Sequence, residues 1–302
     1  MSETRRVLRA PRPPAIRWPG GARVAVSFVL NIEEGAELSI ADGDERNELI
    51  YEAVDDVGAL PDPCLESHFG YGPRSGWPRI AALFARHNAP MTLSVCGRAA
   101  ERTPWLIAEA VEMGHEIACH GWRWERHAGM DEATERAVIA RAHAAIAKAA
   151  GRPPVGWHTR SASTPATRRL LVEHGGFAYD SDAYDDDMPR VETVADRSHV
   201  VLPYAFDTND MRFRPGGAFV QGEDFATYCL AAFDWLAAEG QNVPRMMSVG
   251  LHQRIIGRPG RIGGLAQLLD ALAARDGSWI ATRAEIAAYW RKATGLPDWH
   301  PA

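Results

Sequence analysis

Short apolar runs alternate with longer amphipathic stretches along almost the whole chain, and this alternation constrains the fold more than any other feature. The first run, RVAVSFVL at 23–30, is β-branched and nearly free of charge, as a strand buried on both faces would be. Similar but shorter runs follow at 91–95, 116–119, 155–157, 177–179, 200–206, 246–251 and 279–281. Between them the spacing predicts helices over 77–87, 104–113, 131–150, 164–173, 224–239, 262–275 and 283–293. Thr103 and Asp131 stand where N-caps belong, Pro104 at a first helical position, and Gly114, Gly151, Gly175 and Gly240 at helix ends. A β-α-β-α order calls for a mainly parallel sheet, open or closed into a barrel. No GxGxxG or Walker-type glycine loop follows a strand, which removes support for a nucleotide-binding fold. Residues 31–76 form the longest stretch without a helical pattern and read as a functional loop.

At 302 residues the chain is long enough for one barrel domain with a large core. Residues 1–22 are rich in Arg and Pro and read as an extended arm on the surface or on a neighbouring subunit, so a homo-oligomer is expected. Residues 23–302 then form a single catalytic domain. The net charge of -6 and the absence of a Lys/Arg run argue against nucleic acid or an anionic membrane as partner. Cys64, Cys96, Cys119 and Cys229 are scattered without short spacing, the pattern of reduced thiols rather than a disulfide framework. With no apolar run of signal-peptide or membrane-spanning length, the expected location is the cytoplasm.

Chemistry-bearing residues collect just beyond the strands. Asn31, Glu33 and Glu34 follow the first; His120 follows EIAC; His158 and Arg160 follow the GW run; Asp180 and Asp182 to Asp187 follow FAY. Asp207 to Asp210 follow LPYAF, and His252 follows MMSVGL. In a parallel α/β protein these ends share one face, where active sites are built.

Together these residues resemble the polysaccharide deacetylase (NodB-homology) superfamily over residues 23–292. Its first strand ends in paired aspartates, a general base and a metal ligand, whose positions Asn31 and Glu33 take here. Its second motif supplies two zinc-binding histidines three residues apart; His120 matches the first, but Trp124 stands at the second. Leu251-His252 matches its last motif. The strings HGWRWE (120–125), YDSDAYDDDMP (179–189), PYAFDTNDMRF (203–213) and SVGLHQRIIGRPGR (248–261) resemble the metal-independent allantoinase branch. Segments 156–164 and 68–74 and residues Glu125 to His127 depart from it.

The resemblance implies an α/β fold, a distorted parallel (β/α) barrel, and hydrolysis of a carbon–nitrogen bond other than a peptide bond. The substrate would be a small cyclic ureide or amide such as allantoin. Glu33 or Glu34 and His252 would move protons, with His120 polarising a carbonyl. Asn31, Trp122, Trp124, Arg160, Asp182, Asp185, Asp207 and Asn209 would contact substrate, Trp124 as a flat wall for a planar ring. An indole cannot ligate zinc, so no metal or other cofactor is expected. A cyclic ureide suits such a site because its departing nitrogen is flanked by a second carbonyl. Two alternatives stay open: a metal-dependent deacetylase of N-acetylated sugars with an irregular ligand set, and an inactive binding protein of the same fold.

Overall fold

The computed structural model describes residues 16–50, 55–160 and 162–301. Among the described residues nine strands form one curled sheet: β1 (Val24–Ile32), β2 (Thr92–Val95), β3 (Glu116–Cys119), β4 (Gly156–Trp157), β5 (Tyr179–Asp180), β6 (Arg190–Val194), β7 (Arg197–Val201), β8 (Arg245–His252) and β9 (Ser278–Ile280). Their order is β6-β7-β5-β4-β3-β2-β1-β8, with β9 also on β1, and all pairs are parallel except β6 with β7. Among the described residues no ladder closes the barrel. A single parallel bridge, Asn209 to Gly250, spans the open side of β8. The expected parallel (β/α) barrel is thus present in distorted, half-closed form.

The helices are α1 (Pro63–Tyr71), α2 (Trp77–His87), α3 (Gly97–Arg102), α4 (Pro104–Glu112), α5 (Glu132–Ala150), α6 (Thr167–His174), α7 (Gly222–Glu239), α8 (Gln253–Ile256), α9 (Pro259–Ala273) and α10 (Arg283–Ala293). Every residue of β1 is buried, because strands flank it on both edges and side chains cover both faces. Asp131 caps α5 by accepting from the Thr134 N–H at 2.8 Å, and a Thr282–Glu285 capping box starts α10.

Three segments differ from the pattern reading. The stretch 31–76 is not one loop: Asp62 caps α1, which runs through a π turn (Gly72–Gly76) into α2. Gly72 and Gly76 serve close approach rather than chain breaking, since a Cβ on Gly72 would stand 2.7 Å from Glu34 Oε1 and one on Gly76 would overlap the Gln253 carbonyl oxygen. The strand read at 200–206 lies earlier, at Arg197–Val201, as half of a hairpin with β6. Its turn uses Ala195 and Asp196 at positive φ, without the usual Gly or Asn. The helix read from Thr164 starts at Thr167, because the Thr164 hydroxyl accepts from the N–H groups of Ala166 and Thr167 and holds a turn there.

Of the predicted arm, residues 1–15 lie outside the described residues, and 16–22 pack on the chain's own C-terminal region. Trp18 is buried against Trp279, Tyr289 and Trp290 at ring separations of 5.7 Å, and its indole N–H donates to the Arg245 carbonyl. Emptying such a site costs about 3–5 kcal/mol. Trp18→Ala is expected to lower the unfolding free energy by that amount in urea titrations.

Candidate active site

Because the sheet is parallel, the ends of β1, β3, β4, β5 and β8 converge on one cavity of about 720 Å³. Asn31, Glu33, His120, Trp124, Arg160, Asp182, Asn209 and His252 all line it. His158, read at a strand end, lines it as well, together with Thr159, Tyr184, Tyr204 and Arg254.

Glu33 is the centre. One carboxylate oxygen is 3.5 Å from His120 Nε2 and the other is 3.9 Å from His252 Nε2. Arg254 Nη1 donates to the latter at 3.1 Å, and Arg160 Nε stands 3.8 Å from the former. Burial by itself would raise this carboxyl's pKa, but His252, the hydrogen bond from His120, Arg254 and Arg160 outweigh it and hold the value well below the usual range. Glu34 points away. It accepts from the Gln253 side chain, the Arg254 N–H and the Arg254 guanidinium, and burial and the Glu33 charge raise its pKa. It does not line the cavity; it braces α8 and Arg254.

Both imidazoles are oriented from behind. His120 Nδ1 lies 2.7 Å from the His158 carbonyl, which can only accept, so Nδ1 carries a hydrogen and Nε2 faces Glu33. His252 Nδ1 donates to Asp210 at 2.6 Å, while the other Asp210 oxygen accepts from the N–H groups of His252 and Ile256. Burial disfavours the His252 cation, but Asp210 and Glu33 prevail and raise its pKa. Asp210, one of the residues that follow the LPYAF run, thus holds the imidazole.

Trp124 lines the cavity without offering a bare wall. The Arg160 guanidinium carbon lies 3.9 Å from its ring centre and that of Arg254 lies 4.9 Å away, while Phe69 meets it edge-on. The indole holds two cations beside Glu33. Asp182 accepts from the Thr159 N–H at 2.7 Å; burial and the Asp180 charge push its pKa up to about 7. Tyr204 packs on His158 with ring centres 4.3 Å apart and planes tilted by 34°, and its hydroxyl meets the amide nitrogens of Asn31 and Asn209 at 3.1 and 3.2 Å. Beneath it, buried Arg283 donates to the carbonyls of Leu202 and Pro203 and to the hydroxyls of Ser181 and Ser248.

Three expected contacts fall elsewhere. Trp122 stacks under Arg141 at 3.5 Å, against Gly97. Asp185 is exposed and pairs with Arg190, and exposed Asp207 lies near Tyr228 in a separate groove beyond the stacked Tyr184 and Phe206.

A divalent cation needs several neutral or anionic donors around one point. Here Arg254 donates into the Glu33 carboxylate, and Trp124, which lines the cavity beside it, offers no ligand atom. His127 is bonded to Glu135 at 2.9 Å, both fully buried away from the cavity. Among the described residues no three His, Cys, Asp or Glu side chains converge as a ligand set. The residues present do not suit a divalent metal.

With this geometry, the comparisons with known proteins agree. A profile described as polysaccharide deacetylase matches residues 58–179. A Schizosaccharomyces pombe protein provisionally named a polysaccharide deacetylase is 36% identical over 297 residues, covering 90% of this chain and 92% of its own. A crystal structure from Pseudomonas aeruginosa PAO1, also provisionally named a polysaccharide deacetylase, superposes with a TM-score of 0.87 at 43% identity, covering 93% of this chain and 95% of that one. Puue allantoinase superposes with a TM-score of 0.88 at 41% identity, covering 94% of each chain. Shared sequence along nearly the whole length, on the same curled sheet, makes this chain a member of the polysaccharide deacetylase family, a hydrolase acting on carbon–nitrogen bonds.

Proposed function

We propose that the protein opens a cyclic ureide or amide, allantoin being the reference substrate, by hydrolysis without a metal. The observation that carries this reading is the Glu33 carboxylate set between two imidazole Nε2 atoms and compensated by Arg254 and Arg160. Two fixed cations stand beside Glu33, and Trp124, at the residue spacing where this family has its second zinc-binding histidine, packs against both. The similarity to Puue allantoinase supports the same substrate class.

Glu33 and His252 have proton affinities displaced in opposite directions, Glu33 toward the carboxylate and His252 toward the imidazolium. Such a pair divides the work of base and acid. Glu33 takes a proton from the water that attacks the ring carbonyl. His252 delivers a proton to the departing ring nitrogen, and Asp210 steadies the imidazolium. Glu33's low proton affinity makes it a weak base, so much of the barrier must be lowered at the carbonyl. The leaving group helps, since the second carbonyl delocalises charge on the ring nitrogen. Arg160 is placed to orient the product carboxylate.

Allantoin hydrolysis followed with and without chelator tests the reading. Turnover that survives exhaustive chelation is expected. A zinc-loaded protein that deacetylated N-acetylated sugars and left allantoin intact would overturn it.

A further inference from the structure

With Glu33 a weak base, a donor must meet the carbonyl oxygen as it gathers charge, and the hydrogen bonds around Tyr204 leave one free to do so. Asn209 Oδ1 accepts from the Met211 N–H at 2.9 Å, which fixes its amide so that Nδ2 faces Tyr204. Asn31 Nδ2 also donates to the Leu251 carbonyl at 3.2 Å, and a carbonyl only accepts, so this amide is fixed too. The Tyr204 oxygen therefore receives two N–H donors and has no lone pair left to share. Its own hydrogen must point in a third direction. Among the described residues no carboxylate, carbonyl or hydroxyl accepts it, and the tyrosine lines the cavity that holds Glu33 and His252.

The fold supports this arrangement from behind. Gly250 lies under the hydroxyl, and a Cβ there would overlap both the Asn209 amide and the Tyr204 oxygen. Arg283 grips the carbonyls of Leu202 and Pro203, the two residues before Tyr204. A phenol held by two amides, a glycine and a buried guanidinium is a preorganised donor.

Resting on the function proposed above, we infer that the Tyr204 hydroxyl hydrogen-bonds the carbonyl oxygen of the scissile C–N bond, with Asn31 and Asn209 as positioning residues that aim its proton. The hydroxyl keeps its hydrogen throughout. It stabilises the oxyanion that forms when water adds and releases it as the carbonyl re-forms and the nitrogen departs. Burial, which keeps the phenol protonated despite the hydrogen bond from Asn31, agrees with a donor role.

Two variants test this by different routes. Tyr204→Phe removes the hydroxyl; kcat for ureide opening is expected to fall about 10²-fold while KM moves less than about threefold, the signature of a donor used in the transition state. Asn209→Asp keeps the hydroxyl but turns its proton away. One carboxylate oxygen still takes the Met211 N–H, and the other replaces the amide nitrogen and accepts the phenol hydrogen. The same kcat loss is expected at unchanged KM, whereas a merely structural tyrosine would leave Asn209→Asp active. Retention of kcat within about threefold by either variant, folded by circular dichroism, overturns the inference. If Tyr204→Phe does not fold, Asn209→Asp decides. An unsubstituted protein that opens no cyclic ureide would overturn the proposed function, and this inference with it. An active parent with active variants overturns this inference alone.

Discussion

Glu33→Gln is expected to reduce kcat by about 10³- to 10⁴-fold, the upper range of what one acid–base group supplies, with some loss of stability because the lowered pKa makes the ionised carboxylate favourable to the fold. The amide keeps the shape and an oxygen for Arg254, which also retains its bond to Glu34. What disappears is the negative charge between His120 and His252. Glu34→Gln separates the two adjacent acids. Its carboxylate accepts from three donors at the start of α8 and touches no part of the cavity. Its loss belongs to stability, about 1–3 kcal/mol for leaving buried donors poorly matched, with kcat within about tenfold of the parent. Denaturant unfolding and steady-state kinetics on both variants read these outcomes. A Glu33→Gln protein with near-parental kcat would remove Glu33 from the mechanism.

Asp210→Asn should lose about 10³-fold in kcat and destabilise the fold by about 3–5 kcal/mol, as expected when one member of a buried charged pair is removed. Asp210 accepts from three N–H groups, and an asparagine turns one of its two acceptors into a donor facing donors. The pH profile gives a separate reading. His252 has its pKa raised above 6.5, with Asp210 the first of the groups that overcome burial. Its charge therefore stabilises the native state fully below about 6.5 and ceases to do so as pH rises through the raised value. Removing Asp210 lowers that value, so the alkaline limbs of both activity and stability move to lower pH. Glu33 behaves in the opposite sense: its stabilisation is present above its ordinary value of 4.5 and is lost only as pH falls through its lowered one. An alkaline limb unmoved in Asp210→Asn would show that His252 is not the group titrating there.

The strand-end residues were legible because a parallel sheet carries its C-terminal ends to one face, whatever the loops do. Asn31, His120 and His252 follow directly from that rule. Choosing between Glu33 and Glu34 did not, since the side-chain phase is lost once the strand ends; packing against Gly72 and α8 turns Glu34 away. Trp122 and Trp124 were equally ambiguous, and only the fold puts one under Arg141 and the other under Arg160. Tyr204 was hidden in an apolar run that reads as strand core. The chain leaves the sheet after β7, and that departure brings its hydroxyl to Asn31 and Asn209. Helix α1 was masked by Gly70, Gly72, Pro73 and Gly76, which read as breakers; Gly72 and Gly76 instead serve close approach to Glu34 and Gln253.

The central place of β1 has a bearing on biosynthesis. This strand is made first, yet one edge pairs with β8 and part of the other with β9, both made last. A nascent chain must therefore carry nine consecutive residues that end up buried, with unpaired backbone along nearly an entire edge, until more than 200 later residues have left the ribosome. Long-range pairing of this kind slows folding and exposes sticky intermediates. Yield on dilution from denaturant should therefore drop steeply with protein concentration, and a chaperone that shields apolar strands should restore it.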